Sequence, residues 1–201
     1  MNIILASGSP RRAKLLRQIN LSFKVDASEL EENANGITNP KNLVEFLAKM
    51  KGCDVAARYS NSMIIAADTI VSLNGKILGK PLDQDDAYKI LRLLSGKTHQ
   101  VFTGVYIGII DSEGNISKEI TFNERTNVTF SALTDYEIKH YINTGSPMDK
   151  AGAYGIQDDL GSLFVKRVEG DFYNVVGFPI HKFYQQLKTK LPKIHKTLFF
   201  R

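Results

Sequence analysis

Met63-Ile64-Ile65-Ala66-Ala67-Asp68-Thr69-Ile70-Val71-Ser72-Leu73 is a nearly continuous apolar run interrupted by one acid and one hydroxyl. Such a run predicts a strand buried at the centre of a sheet. Asn74-Gly75 follows, a two-residue hairpin signal, and Lys76 to Leu78 supplies the returning strand. Asp68 is the anomaly. A bare carboxylate in apolar surroundings is costly, so it must be paired, bound to a metal or turned towards a cleft. It is either a structural aspartate bonded to a neighbouring turn, or a carboxylate that holds a divalent cation and accepts a proton from attacking water. The second reading is preferred.

Towards the N-terminus, Ile3-Ile4-Leu5 predicts a buried strand, and Leu15, Leu16 and Ile19 recur at helical spacing within Ala13 to Ile19. Between them lies Ala6-Ser7-Gly8-Ser9-Pro10-Arg11-Arg12. Ser9 suits an N-cap and Pro10 the first helical position. Backbone N–H groups, two hydroxyls and the guanidinium forks of Arg11 and Arg12 then converge at the positive end of a helix dipole, which suits phosphate oxygens. The plainer alternative is a capped helix with a solvated basic first turn. Arginine has the wrong sign there unless an anion is present. Ser22 to Val25 reads as a short strand. Asp26 to Pro40 is an acidic, Asn-rich loop carrying Glu29, Glu31 and Glu32. Lys41 to Tyr59 reads as a helix with Leu43, Phe46, Leu47, Met50 and Val55 as its apolar stripe.

Beyond the hairpin, Asp83 to Leu94 predicts a helix closed by Ser95-Gly96. Thr98 to Ile110 and Ile116 to Ser131 predict two long strands joined by a Ser-Glu-Gly-Asn turn. Thr134-Asp135-Tyr136-Glu137 is a capping box opening a helix to about Asn143. Gly145 to Gly161 is a glycine-rich loop region, Leu163 to Val168 a strand, and Pro179 starts a last helix to about Lys188. Helices alternate with strands while the long hairpin is antiparallel. The expected fold is α/β with α+β character, built on a mixed sheet.

The chain has 201 residues, 43% of them hydrophobic and 23% charged, which is ordinary globular usage and enough for a real core. Much of the formal charge of +5 lies in Lys182 to Arg201, with five lysines, one arginine and no acid. A nucleic-acid partner is therefore not expected from charge alone. A single cysteine, Cys53, excludes an internal disulfide framework and any CxxC site. Apolar stretches fall short of the roughly 18 residues of a membrane span, and no export signal opens the chain, so the expected location is the cytoplasm.

Two lysines stand where phosphate ligands are useful: Lys51 late in the second helix, and Lys80 in the tight turn Gly79-Lys80-Pro81. Alone, either is a solvated surface charge as readily as a ligand. Glu31 and Glu32 have the chemistry to complete a hard-cation site, or they belong to a solvated loop. Gly96-Lys97-Thr98 is not a P-loop, since Leu91 stands where that motif needs glycine. His99, at a strand start, reads as a structural hydrogen-bonder before a base. Gln157 carries an amide suited to a base edge, on a loop that otherwise only closes the sheet.

Taken in order, these pieces resemble the Maf family of nucleoside triphosphate pyrophosphatases. The matching segments are Leu5 to Arg12, Leu47 to Lys51, Ala66 to Val71, Gly79 to Pro81, Ser95 to Val105, Asp149 to Gln157 and Asn174 to Pro179. The resemblance implies two lobes around a central cleft, like the inosine triphosphate pyrophosphatases, in one domain over residues 1–188 followed by a basic tail at 189–201. It implies house-cleaning hydrolysis of a nucleoside triphosphate to monophosphate and pyrophosphate, with Mg2+ or Mn2+ and a homodimer. Asp68 matches the family's proton acceptor. Ser9, Arg11, Arg12, Lys51 and Lys80 are then expected to clamp the triphosphate, Glu32 and Asp68 to hold the metal, and Thr69 and Gln157 to read the base. Arg11, Thr69 and Gln157 match the branch acting on dTTP and UTP. A sister branch acts on 7-methyl-GTP and looks different at those positions. A non-catalytic nucleotide or nucleic-acid binder linked to septum formation is the alternative from another class. Gly52, where the family usually has alanine, and Phe178, in place of a common leucine, are departures.

Overall fold

The computed structural model describes residues 1–31, 36–157 and 160–200. The chain runs β1 (Asn2–Leu5), α1 (Pro10–Gln18), β2 (Lys24–Val25), α2 (Pro40–Ala56), β3 (Ser62–Leu73), β4 (Lys76–Leu78), α3 (Gln84–Leu94) and β5 (Thr98–Ile110). It continues through β6 (Ile116–Phe130), α4 (Asp135–Asn143), β7 (Val165–Glu169), α5 (Phe172–Val176), α6 (Ile180–Lys190) and α7 (Pro192–Phe199). Short 3-10 turns occupy Ser146–Asp149 and Ala151–Ala153, inside the region read as a glycine-rich loop, and Gly161–Phe164, which takes the first residues of the strand expected from Leu163.

Among the described residues seven strands form one sheet in the order β2-β1-β3-β5-β6-β7, with β4 pairing onto β3. β1 is parallel to β2 and β3, and the remaining pairs are antiparallel, so the sheet is mixed as expected. The β3–β4 hairpin turns through Asn74 (φ 51°) and Gly75 (φ 82°), the two positive φ angles that a tight type I′ connection requires.

One edge of β3 is split. β1 accompanies it up to Ile65, and β4 joins only at Val71. Between them Ala66 to Ile70 pair with β5 on the other edge alone. Asp68 and Thr69 sit in that opening, and strand alternation points them to opposite faces.

On one face, α1 joins α6 and α7 over Met63, Ile65, Ala67, Val105 and Ile107. Further along that same face, α3 and α4 cover Val71, Val101, Val128 and Phe130. Two apolar bodies thus flank the opening, and Thr69, Thr103 and Thr126 form a polar seam between them. α2 covers the other face, over Ile64, Ala66, Ile70 and Tyr106.

α2 lies close to the sheet because two glycines permit it. A Cβ on Gly104, directly opposite Asp68 in register, would stand 2.1 Å from the Val44 carbonyl oxygen. A Cβ on Gly52 would stand 2.1 Å from the ring of fully buried Tyr106. The departure at position 52 therefore has a steric cause.

The C-terminal segment differs from the tail expected at 189–201. Pro192 opens α7. Its Ile194, Leu198 and Phe199, together with buried Leu191, pack on the cluster that contains α1 and α6. The charge count of this segment concealed a helical apolar spacing. α5 also escaped the sequence reading, because Phe-Tyr-Asn-Val-Val is a poor helix former. It forms because Asp171 accepts hydrogen bonds from the N–H groups of Tyr173 and Asn174, and Gly177 (φ 119°) ends it.

His99 is structural. It is fully buried, its Nε2 lies 2.8 Å from the Tyr154 hydroxyl, and its ring meets Phe130 and Tyr154 edge-on. Burial lowers its pKa from 6.5 to about 4.

Two stability measurements check this packing. Helix propensity alone predicts that Gly52→Ala stabilises by ~1 kcal/mol. The collision with Tyr106 reverses the sign, and a loss of ~1–3 kcal/mol is expected in urea unfolding. A gain would show that the ring has room to move. For His99, the unfolded chain takes up a proton between pH 6.5 and 4 that the folded chain refuses. Its contribution is present above pH 6.5 and lost as pH falls towards 4, by ~3 kcal/mol in all. Subtracting the stability profile of His99→Gln from that of the wild type should expose this slope. A flat difference would contradict a buried neutral imidazole.

Candidate active site

Ser9, Arg11, Arg12, Lys51, Asp68, Thr69, Lys80 and Gln157, drawn from distant parts of the sequence, all line one cavity of about 410 Å³ at the split edge of β3. Glu32 lies outside the described residues. Glu31 is exposed and is not among the residues lining the cavity.

The apolar run puts Asp68 on the α2 face, with its residue only 5% exposed. Lys51 lies one heptad beyond Val44 on the inward stripe of α2, and its Nζ donates to Asp68 Oδ1 at 2.6 Å. Each group makes the other's burial tolerable.

Among the described residues Arg12 donates to three acceptors. Its Nε donates to the Gly177 carbonyl at 2.9 Å, Nη1 to Ser7 Oγ at 3.0 Å, and Nη2 to Thr69 Oγ1 at 2.9 Å. These contacts tie α1 to β3 and to the end of α5, and they fix the guanidinium plane beside the cavity. Ser9 occupies the N-cap position, but its hydroxyl makes no capping bond. Its backbone N–H instead donates to Ser7 Oγ at 3.3 Å. The expected capping role is therefore corrected: the Ser9 side chain lies on the cavity wall instead.

Across the cavity, Arg11 Nη1 meets Asp149 Oδ2 at 3.0 Å, and Lys150 Nζ meets Asp149 Oδ1 at 2.6 Å. Burial pushes the Asp149 carboxyl up, but hydrogen bonds from Lys150 and Arg11 outweigh it and hold its pKa below the ordinary value. Sequence reasoning quoted Asp149 and Lys150 within a motif but gave them no place in the site. Their only signal was the adjacency of opposite charges on a glycine-rich loop. The Gly152 N–H donates to the Gly79 carbonyl at 2.9 Å, which brings this loop beside the turn bearing Lys80.

Thr69 is more engaged than a free base-reader. Besides Arg12, its Oγ1 contacts Thr103 Oγ1 at 3.0 Å, and Thr103 donates to the Asn174 carbonyl at 3.1 Å. Asn174 is itself fully buried, its Nδ2 donating to the Val101 carbonyl and to Thr126 Oγ1, both at 3.0 Å. Nothing in the sequence distinguishes Thr103 and Asn174 from structural polar residues, since their connection depends on strand register.

Five cationic side chains (Arg11, Arg12, Lys51, Lys80 and Lys150) and two carboxylates (Asp68 and Asp149) line the cavity among the described residues. The walls are open to an anion with several oxygens. No helix among the described residues is long and apolar enough to cross a membrane.

Comparison with known proteins places the chain in a family. A family model described as Maf-like protein matches residues 2–190. A dTTP/UTP pyrophosphatase of Bacillus mycoides is 48% identical over 186 residues, 92% of this chain and 94% of that protein. One from Bacillus cytotoxicus is 48% identical over 185 residues, 92% of this chain and 93% of its own. Among solved structures, a HAM1 protein from Coxiella burnetii aligns at 12% identity and a TM-score of 0.48, covering 96% of this chain and 99% of that one. A Staphylococcus aureus Ham1 protein aligns at 17% identity and a TM-score of 0.45, covering 65% of this chain and 72% of its own. With the family model spanning nearly the whole chain and such relatives matching end to end, this chain belongs to the Maf family.

Proposed function

We propose that the chain hydrolyses a pyrimidine nucleoside triphosphate, dTTP or UTP, to the monophosphate and pyrophosphate. The observation that carries this reading is the nearly buried Asp68 carboxylate, paired to Lys51 in a cavity whose other charged side chains among the described residues are cationic save Asp149. The names of the relatives, dTTP/UTP pyrophosphatase, support the substrate class.

In this reading Arg11, Arg12, Lys51, Lys80, Ser9 and the N–H groups opening α1 take the phosphate oxygens. Fixed charges aimed at the phosphate chain cost no reorganisation when negative charge moves during reaction. Asp68 accepts a proton from water as the water oxygen bonds to the α-phosphorus. The bond from that phosphorus to the bridging oxygen breaks, and pyrophosphate leaves with the electron pair against the cationic wall. Thr69 and Gln157 read the pyrimidine edge.

The donor set at Asp68 fits a hard divalent cation, Mg2+ or Mn2+. Carboxylate oxygen is the ligand such ions favour, and Mg2+ commonly takes few protein ligands alongside phosphate oxygens and water. Among the described residues no three His, Cys, Asp or Glu side chains cluster as a metal site, so Asp68 would hold the ion together with substrate oxygens. Bound there, the ion would draw negative charge from the phosphates. Glu32, the second expected ligand, lies outside the described residues. The expected cytoplasmic location stays part of this reading, and the family resemblance adds a homodimer, which light scattering measures.

Pyrophosphate release from dTTP and UTP with Mg2+ tests the proposal, and no release from any common triphosphate would refute it. Asp68→Asn should lower turnover at least ~100-fold. Near-normal turnover would remove Asp68 from the chemistry. Gln157→Ala should reduce kcat/KM for dTTP more than for a purine triphosphate, because a base contact is lost rather than a phosphate contact. Equal losses would place Gln157 away from the base.

A further inference from the structure

Thr103 is fully buried on β5, directly opposite Thr69 in the β3–β5 register. What each partner is able to do fixes the direction of the hydrogen bonds around it. The Asn174 carbonyl only accepts, so Thr103 Oγ1 spends its single proton there, at 3.1 Å. The 3.0 Å contact between the two threonines must then be donated by Thr69. Arg12 Nη2 only donates, so Thr69 Oγ1 accepts from it at 2.9 Å. Among the described residues the other acceptor near Thr69, the Gly177 carbonyl at 3.5 Å, would also turn the proton inwards. With its proton committed inside the protein, Thr69 can offer the cavity only a lone pair.

Taking Thr69 as a base-reading residue, as proposed above, we infer that Thr103 is a positioning residue for base selection. By holding Thr69 as an acceptor, it favours pyrimidines that carry N–H at ring position 3, uracil and thymine, over cytosine. The cytosine N3 bears a lone pair, and it would meet Thr69 acceptor to acceptor, leaving that nitrogen unpaired against a second lone pair. Uracil and thymine share the N3–H group, and one relay therefore serves both substrates. A threonine without an acceptor behind it could turn its hydroxyl and donate to cytosine instead, since hydroxyl hydrogens rotate to suit their surroundings.

The test is the ratio of kcat/KM for UTP to that for CTP in the wild type, Thr103→Val, Thr103→Ser and Thr69→Val, with thermal unfolding of each to verify folding. The wild type should prefer UTP. Thr103→Val keeps the shape but removes the acceptor, and the ratio should fall at least ~10-fold. Thr103→Ser restores the acceptor and should retain the ratio. Any disturbance of Arg12 falls on the shared triphosphate, lowers both substrates together and leaves the ratio unmoved. Should Thr103→Val not fold, Thr103→Ala, which lacks the acceptor without crowding the seam, gives the same comparison.

Equal rates for UTP and CTP in the wild type overturn the inference. If Thr103→Val keeps the ratio while Thr69→Val collapses it, Thr69 reads the base without the relay. A ratio unmoved in both variants removes Thr69 from base reading altogether. Loss of the pyrophosphatase reading itself would appear separately, as no pyrophosphate from UTP in the unmodified protein.

Discussion

The ion pair between Lys51 and Asp68 is the constraint around which the rest is arranged. Both side chains are largely withdrawn from solvent, at 16% and 7% exposure, in a region otherwise built of Ile64, Ala66, Val44 and Ile70. Two charges in such a place gain from each other only when the geometry is close, and breaking a buried pair by removing one member costs about 3–5 kcal/mol. The pair sits where β1 has left the edge of β3 and β4 has not yet joined it. An unpaired sheet edge ordinarily invites unwanted strand pairing. Here the opening becomes the floor of a cavity, with the basic start of α1 on one side and the Asp149–Lys150 loop on the other.

The opposite face of the same opening shows how a sheet tolerates polarity at its centre. Thr69, Thr103 and Thr126 interrupt the apolar surface between the two bodies built on α1 and on α3. Each hydroxyl is spoken for: Thr126 donates to the Asp171 carbonyl at 2.8 Å, and Asn174 spans the seam from the short α5. α5 is therefore more than a connector. Its cap, Asp171, and its terminal carbonyls supply the acceptors that make a buried row of threonines affordable, and the Gly177 carbonyl that ends it also binds Arg12. Hydroxyls satisfied in this way hold a rigid, singly defined arrangement, and the Asn174 Oδ1 beside them meets no partner among the described residues.

Much of this was legible in the sequence, and what was not has physical reasons. The interrupted run at 63–73 declared both the central strand and the one acid set into it, because a buried carboxylate needs a partner or a cleft, and Asp68 has Lys51 and a cavity. The Asn74-Gly75 turn and the Thr134–Glu137 capping box were equally readable, since local chemistry determines them. Ser9 shows the limit of local rules. The cap position was right, yet the Ser9 hydroxyl makes no capping bond, and Ser9 is instead the donor, through its N–H, to Ser7 Oγ. α7 carried its signal, with Pro192 at the first helical position and Leu191, Ile194 and Leu198 at helical intervals, but the lysines between them drew attention to charge instead of spacing. The Thr69–Thr103–Asn174 connection joins residues 34 and 71 positions apart, and no local pattern encodes it. The contact between Arg11 and Asp149, 138 positions apart, escaped for the same reason.

Gly52 and Gly104 bring these strands of the structure together. In isolation each is a poor choice, one weakening a helix and the other a strand. Placed against Tyr106 and against the Val44 carbonyl, they let α2 approach the sheet more closely than any side chain would allow. That approach decides whether a lysine on the inward stripe of α2 can meet a carboxylate on β3 at hydrogen-bond length. A helix held further out would pull Lys51 and Asp68 apart, and the same displacement would widen the cavity whose wall they form. Local propensity was given up at two positions so that a charge pair could close at a third, which is where the fold and the site become one problem.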